Sequence, residues 1–458
     1  MDNESGSLQG DAAIADTDLN ANANTDEDVT ASISLDDRFQ FIGMDYLESI
    51  EALRETHLEL TPAASGLDNS PRALTDSFAL LNLDDNEKRM LRPAFENAPE
   101  SGLSPLELLD RMLRAVGETA WGPEFILNFM KRAYRPKREP IFHDAMLISL
   151  VSSFEAHLAK LAGLYYQCAP AALSDVPKEA AKEFSLRELQ DMDSIQDAVD
   201  TAIERRVTKL MFGSLGDWKK FFAERMNIDL ADMSVPWKEI VEIFERRHCL
   251  VHNDARASRR YAEAVEDSTY DEELHASQGY VSAAIEKLEL VGLVLHVRVW
   301  KKFTEDVTRV SASLEDTSFA ALQESRWAFA QALYELWQRL PLSAKDRRTG
   351  EVNLWLVKRE LNGLDAVRAE IEAWDVSDAD ELFTFAKHCL LEQVDEAFAM
   401  VPSLLERDKL GGRALARWPI AAVLRRDPRI DLYRDQVRAF LREEATDATA
   451  AESGAVGG

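Results

Sequence analysis

The sequence has few cysteines, no long apolar run and a shortage of positive charge. Its three cysteines, Cys168, Cys249 and Cys389, lie far apart and form no CxxC pair. This spacing excludes a disulfide framework and a zinc knuckle, and it is typical of a protein in a reducing compartment. The most apolar run, residues 290–300, is too short to span a bilayer and contains a histidine and an arginine. We therefore expect a cytoplasmic protein with no membrane partner.

The charge balance limits the partners that the chain can bind. The 53 Lys and Arg residues are outnumbered by 82 Asp and Glu residues, which gives a formal net charge of -29. Because such a field repels phosphate, the balance excludes broad, nonspecific nucleic-acid binding but leaves room for a local basic groove. Residues 1–37 contain ten of the acidic residues, no basic residue and no apolar periodicity. We predict a disordered tail here, because the segment cannot bury enough apolar surface to offset its conformational entropy. It also lacks the basic start and apolar core of a signal peptide.

The remaining composition predicts an all-α protein of several domains. Segments rich in Ala, Leu, Glu and Arg favour helix, and alternating β-branched patterns are scarce. A chain of 458 residues exceeds the roughly 250 to 300 residues that one core usually holds. The predicted parts are the disordered acidic tail 1–37, an N-terminal helical region 38–138, a central helical domain 139–305, a C-terminal helical domain 315–443 and a flexible tail 444–458.

The two flanking regions carry signals that allow more than one interpretation. The N-terminal region ends in the basic segment "KRAYRPKREP", which is either a solvated linker or a phosphate-contacting patch. In the C-terminal region, "DELFTFAKHCLLEQVDEAFAMVPSLLERDKL" predicts a helix hairpin with the small residues Ala386 and Ala397. This hairpin belongs either to an appended bundle or to a repeat-like surface that binds a protein regulator.

The segment "WKEIVEIFERRHCLVHNDARASRRY", residues 237–261, places polar groups on an apolar helix face. At 100° per residue, one apolar face with Val241 at its edge comprises Ile240, Ile243, Phe244, Leu250 and Val251. Outside that face lie Glu239, Glu242, Glu245 and Arg246. Arg247 falls within it, while His248 and His252 lie four residues apart on one flank. An arginine on a core face is costly unless it is paired or faces a wet cavity or an interface.

Three interpretations of this segment are open. Arg247 can pair with a buried carboxylate such as Glu155, with the histidines as hydrogen-bonded core residues. His248 and His252 have the spacing of two metal ligands, but Cys249 stands where a zinc protease needs its glutamate and no third ligand is apparent. In the third interpretation, His252 moves protons and Arg247 stabilises charge on a phosphodiester. We expect neither a metal nor another cofactor.

The string "RRHCLVHN" resembles the motif of the HEPN superfamily, in which roughly four to six residues, the first of them polar, separate an arginine from a histidine. Arg247, His248 and His252 match this pattern, and Asn253 is a usual follower of the histidine. "LISLVSSFEAHLAKLAGLYY" resembles the long first helix of these domains and "GDWKKFFAERMNIDL" a segment in their middle. The resemblance covers roughly residues 140–300. Many relatives have a glycine soon after "HN", whereas this chain has Asp254 and Ala255.

The resemblance implies a bundle of four or five helices that forms a homodimer with the two motifs facing one another. Catalytic members are metal-independent endoribonucleases, in which the ribose 2'-OH attacks the adjacent phosphate and leaves a 2',3'-cyclic phosphate. DNA lacks that hydroxyl and is not a substrate. Members of this type often belong to toxin or antiviral defence systems. Other HEPN domains are noncatalytic modules for dimerisation or nucleotide binding, so an interaction protein is the alternative function.

The resemblance also implies roles for individual residues. Arg247 would hold the phosphate, His252 would act as base or acid, and His248 would orient the scissile group. Histidine suits proton transfer because it titrates near pH ~6.5 in model peptides. RNA, with tRNA as one candidate, is the expected partner. Predicted RNA contacts, for which a solvated basic turn is the alternative, are Asn253, Arg256, Arg259 and Arg260.

Overall fold

The computed structural model describes residues 33–69, 138–174, 184–230, 235–266, 270–406 and 412–435, with single positions at 85, 89, 110, 111 and 114. Across these residues the chain forms helices and no strand, so the predicted all-α class is confirmed. One isolated antiparallel bridge joins Arg256 to Glu273. The basic segment of residues 131–137, most of the predicted acidic tail and the C-terminal tail lie outside the described residues.

The described residues contain sixteen α-helices and four short 3₁₀ helices. In chain order they are α1 Leu35–Asn69, α2 Arg138–Cys168, α3 Leu186–Gln190, α4 Ile195–Met211, α5 Leu215–Met226, α6 Trp237–His252, α7 Arg259–Ala264, α8 Gln278–Phe303, α9 Thr308–Gln323, α10 Trp327–Trp337, α11 Ala344–Asn362, α12 Arg368–Ala373, α13 Glu381–Leu390, α14 Val394–Glu406, α15 Gly412–Arg417 and α16 Ala422–Arg425. Short 3₁₀ helices span Pro170–Ser174, Leu364–Ala366, Pro419–Ala421 and Pro428–Tyr433.

Helix α2 is the centre of the main bundle. It packs against α1, α4, α6 and α8, so most of its circumference is buried. Leu147, Leu150 and Phe154 are among its buried side chains. Among the described helices α2 is the one with the length and apolar composition to cross a membrane, and half of its most apolar stretch is buried inside the bundle. A core helix that is covered on several sides has the same composition.

Helix α1 belongs to the same core as the central domain. Its residues Phe39, Tyr46 and Ile50 are buried in the cluster formed by α2 and α8. The hydroxyl of Tyr46 donates a hydrogen bond of 2.7 Å to the carbonyl of Leu288 in α8. The core therefore joins α1, most of which belongs to the predicted N-terminal region, to residues of the central bundle. The helix begins at Leu35, inside the predicted tail.

Gly292 in α8 permits the close approach of α1 and α8. A Cβ atom at this position would overlap the ring of Tyr46. That ring cannot easily move, because it is buried, hydrogen-bonded to Leu288 and stacked on the His157 ring with centroids 4.1 Å apart.

We expect Gly292→Ala to lower the free energy of unfolding by about 2–3 kcal/mol, the cost of overpacking a core. Gly163→Ala in α2 is the matched control, since no atom lies within 4 Å of its Cβ position. This change should raise stability by ~0.5–1 kcal/mol, because alanine favours a helix interior. Urea denaturation measures both values. Equal stability of Gly292→Ala and the wild type would contradict the close approach.

The C-terminal part adds a second core. Helices α9 and α10 extend the main cluster, whereas residues from Val352 to Leu424 form a separate one. Helices α13 and α14 form the predicted hairpin, and Ala386 and Ala397 are both fully buried. Arg359 of α11 caps the end of α13, donating hydrogen bonds of 3.2 and 3.3 Å to the carbonyls of Cys389 and Leu390. None of the described residues at the end of α6, where the polar motif lies, belongs to this second core.

Candidate active site at the end of helix α6

Helix α6 carries the polar motif on its last two turns. It begins after Pro236 and ends at His252, and the N–H of the next residue, Asn253, donates to the carbonyl of Cys249. Ile240, Ile243 and Phe244 are buried, as the helical periodicity predicts. Phe244 meets Phe154 of α2 edge to face, with centroids 5.9 Å apart. These contacts fix the first half of α6 against the centre of the bundle.

The apolar face does not continue to the end of the helix. Val251 is 47% exposed, and Leu250 is half-buried. The prediction that both residues complete a core face was therefore wrong for Val251. The last turn of α6 extends past the end of the packed core, which exposes the residues that the motif places there.

Arg247 forms an ion pair with Glu155 of the central helix. Its Nη2 donates to Glu155 Oε2 at 2.8 Å. The side chains are 28% and 13% exposed, so the pair lies at the edge of the core. The expectation that Arg247 pairs with Glu155 is confirmed. Burial raises the pKa of the Glu155 carboxyl, and this effect outweighs the opposing attraction of Arg247.

His248 and His252 lie side by side on one flank of α6. Their ring centroids are 4.8 Å apart, and the rings are tilted by 51°. His248 is half-buried and His252 is exposed to solvent. Burial lowers the pKa of His248, and the positive charge of Arg260 acts in the same direction. The end of α6 thus presents two imidazoles and, from the adjacent face, one guanidinium.

The two histidines have no third metal ligand nearby. Within the described ranges, no group of three or more His, Cys, Asp or Glu side chains is arranged to hold a metal ion. Cys249, the residue between the histidines, is buried and contacts Ser258, with Sγ 3.7 Å from the Ser258 hydroxyl. Its thiol therefore faces away from the exposed flank.

Arg246 is more buried, and contacts more residues, than the helical periodicity predicts. It was expected outside the apolar face, but its side chain is only 18% exposed. Its Nε donates to Glu242 at 2.7 Å, its Nη1 to the carbonyl of Leu274 at 2.9 Å, and its guanidinium covers the ring of Tyr280. Glu242 also accepts a hydrogen bond of 2.6 Å from the hydroxyl of Tyr261. This network holds α7, α8 and the preceding loop against α6, which assigns Arg246 a structural role.

The residues that were predicted to contact RNA surround the exit of α6. Arg256 forms an ion pair with Glu273 at 3.2 Å, and Arg260 forms one with Glu245 at 2.6 Å. Arg259 is exposed, with its guanidinium 5.8 Å from the centre of the Tyr270 ring. Asn253 donates its side-chain amide to the carbonyl of Arg256. Two of the three arginines are thus neutralised within the chain.

The chain leaves α6 through two residues in the left-handed conformation. Asp254 has φ 49° and Ala255 has φ 57°, at the place where many HEPN domains have a glycine. Each such non-glycine residue costs about 1–2 kcal/mol of strain. Ala255 is held by two backbone hydrogen bonds, from its N–H to Cys249 at 3.3 Å and from the N–H of Leu274 to its carbonyl at 2.7 Å. The turn therefore forms without glycine.

Sequence reasoning missed the two tyrosines of the network. Tyr261 and Tyr280 both donate to Glu242, and burial, together with the negative charge of that carboxylate, raises the pKa of both hydroxyls. The available signal was the spacing of Glu242 and Arg246, which suits an ion pair on one helix face. That spacing gives no information about partners that come from later helices.

Comparisons with protein-family models, with curated proteins and with solved structures find no match to this chain. The resemblance to the HEPN superfamily therefore stays a prediction, which rests on the motif and on the helices that carry it.

Proposed function

We propose that the chain is a metal-independent endoribonuclease with its working groups at the end of α6. The observation that carries this proposal is the grouping of two adjacent imidazoles with the Arg247 guanidinium on an accessible helix end. Imidazoles transfer protons near neutral pH, and a guanidinium binds phosphate oxygens. Phosphodiester cleavage uses both groups, one to move a proton and one to stabilise the charge on the phosphate oxygens.

The proposed reaction is transesterification. A base accepts the proton of the ribose 2'-OH while its oxygen forms a bond to the adjacent phosphorus. The bond from phosphorus to the 5'-oxygen breaks, and an acid protonates that leaving group. The products are a 2',3'-cyclic phosphate and a 5'-hydroxyl, so the proton balance closes without water or metal. His252 serves as base or acid, Arg247 stabilises the charge on the nonbridging oxygens, and His248 orients the phosphate.

The predicted RNA contacts around the motif have less structural support than the motif residues themselves. Arg256 and Arg260 are held by carboxylates, so a phosphate must displace Glu273 or Glu245 to reach them. Arg259 forms no ion pair among the described residues and is the more accessible cation. These arginines and Asn253 would contact the RNA backbone, and such contacts give affinity but little sequence selectivity.

The proposal includes a homodimer in the cytoplasm. The homodimer, with the two motifs facing one another, follows from the HEPN resemblance. A toxin or antiviral defence role, with tRNA as a candidate substrate and a protein regulator on the C-terminal helices, follows only from the HEPN resemblance and belongs to the proposal.

A noncatalytic interaction module is the second candidate function. It is favoured by the ion pairs that neutralise Arg247, Arg256 and Arg260 within the chain. The net charge of -29 acts in the same direction, because it opposes the approach of a polyanion. In this case the motif would stabilise the bundle and a protein partner would bind elsewhere.

Incubation of the purified protein with total RNA and with tRNA in EDTA tests the proposal. We expect discrete fragments with cyclic-phosphate ends, and no cleavage of single-stranded DNA under the same conditions. Because no step uses a metal, the rate should be the same with and without EDTA. Intact RNA, together with stable capture of a protein partner, would favour the interaction module. Activity that is lost in EDTA and restored by zinc would contradict the metal-independent mechanism.

A further inference from the structure

The carboxylate of Glu155 lies in the candidate site, yet the reaction assigns it no step. It comes from the middle of α2, far from α6 in the sequence, and its Oε2 accepts the 2.8 Å hydrogen bond from Arg247. Its neighbours Phe154 and Leu158 are buried in the core, so the backbone beneath Glu155 is held in place. The carboxylate is therefore a rigid acceptor at the edge of the site.

Glu155 is the one hydrogen-bond partner of the Arg247 guanidinium among the described residues. The Nε of Arg247 is buried without a partner in that part of the chain, so it provides no second anchor. An unanchored arginine side chain loses up to ~2 kcal/mol of rotamer entropy when it is fixed. A single fixed acceptor supplies that orientation before the substrate arrives.

The bond to Glu155 leaves most of the guanidinium free. A guanidinium has five N–H donors, and Glu155 uses one of them through Nη2. Three further N–H donors remain on Nη1 and Nη2, and a phosphate can accept hydrogen bonds from two of them. One bond to the chain and two to a phosphate are therefore compatible.

We propose that Glu155 is a positioning residue, which holds the Arg247 guanidinium in the orientation that binds the scissile phosphate. This inference rests on the proposed endoribonuclease function. Glu155 acts through Arg247 and touches neither the reacting phosphorus nor the 2'-oxygen.

Two substitutions of Glu155 show whether its hydrogen bond to Arg247, rather than its charge or its packing, supports catalysis. Glu155→Ala removes the acceptor, and Glu155→Gln keeps a side-chain oxygen that accepts the same N–H. We expect Glu155→Ala to lower kcat for an RNA oligonucleotide by about 100-fold, the cost of a small misplacement in an active site, with KM changed by less than about threefold. Glu155→Gln should retain kcat to within about fivefold, because the hydrogen bond is restored.

Glu239→Ala is the matched control on α6, since Glu239 is about half exposed and pairs with Lys287 away from the motif. It should leave kcat and KM unchanged. Melting temperatures are measured for all variants, because a purely structural role for Glu155 would lower kcat only in step with the folded fraction. Equal melting temperatures with a low kcat in Glu155→Ala and a restored kcat in Glu155→Gln support positioning.

Three outcomes would overturn the inference. Wild-type cleavage in Glu155→Ala would remove any positioning role, and a higher kcat would show that Glu155 restrains Arg247 instead. An equal loss in Glu155→Gln and Glu155→Ala would show that the hydrogen bond is not what matters. An inactive wild type would overturn the endoribonuclease itself, whereas an active wild type and Glu239→Ala variant confine the failure to Glu155.

Discussion

His252→Ala is expected to lower RNA cleavage by about a thousand-fold, within the range of a lost general acid or base. The protein should remain as stable as the wild type to within ~0.5 kcal/mol, because His252 is an exposed residue at the last position of α6. The measurement is the initial rate of cleavage of one RNA oligonucleotide, combined with urea denaturation of the same preparations.

His275→Ala is the matched control for this prediction. His275 is also a partly exposed histidine near the end of α6, but its Nδ1 lies 2.6 Å from Asp144 on α2 and it is not part of the motif. Its cleavage rate should equal that of the wild type. An undiminished rate in His252→Ala would contradict the assigned proton transfer.

Arg247→Ala distinguishes catalysis from structure at the same site. We expect a comparable loss of cleavage together with a stability loss of about 1–3 kcal/mol, because Glu155 is left partly buried without its partner. A large fall in the melting temperature of both Arg247→Ala and His252→Ala would instead favour a structural role for the whole motif.

Acidification is expected to destabilise the fold by about 3 kcal/mol through His296 alone. This histidine of α8 is buried between α1 and α2, and neither ring nitrogen has a hydrogen-bond partner among the described residues. It packs edge to face against Trp300 and lies 5.4 Å, between centroids, from the ring of His157. Burial lowers the pKa of His296 to about 4.

The sign and the pH range follow from proton linkage. The unfolded chain binds a proton at His296 below pH ~6.5, whereas the folded chain does not until about pH 4. The free energy of unfolding therefore falls as the pH drops from ~6.5 to ~4, by about 1.4 kcal/mol for each pH unit. His157, whose pKa burial also places well below its ordinary value, acts in the same direction.

Urea denaturation at pH 7.5 and pH 4.5 measures this effect. The wild type should lose about 2–3 kcal/mol more between these values than His296→Leu, since leucine fills a similar volume and does not titrate. The comparison cancels the contribution of the carboxylates, which both proteins share. Equal pH dependence in the two proteins would show that His296 is not kept neutral by burial.

The periodicity of the sequence was sufficient for the first half of α6. It placed Ile240, Ile243 and Phe244 in the core, and the cost of an unpaired arginine predicted the Glu155 pair with Arg247. The first inference depends on one helix, and the second on a general rule about buried charge and on the expectation that the helix carrying Glu155 is central.

What the sequence did not predict depends on contacts between distant segments. Arg246 became buried because Tyr280 and the carbonyl of Leu274 cover it from beyond α6. The membership of α1 in the main core depends on Tyr46 and Leu288, which are 242 residues apart. A helical pattern shows which face is apolar, but it does not show which partner covers that face.

Cleavage of an oligonucleotide with one ribose in an otherwise 2'-deoxy chain tests the central claim most directly. The account predicts a single cut on the 3' side of that ribose in EDTA, with a 2',3'-cyclic phosphate on one fragment and a 5'-hydroxyl on the other, and no cut by His252→Ala. Cleavage at the deoxy positions, or a 5'-phosphate at the cut, would contradict 2'-OH attack by this site.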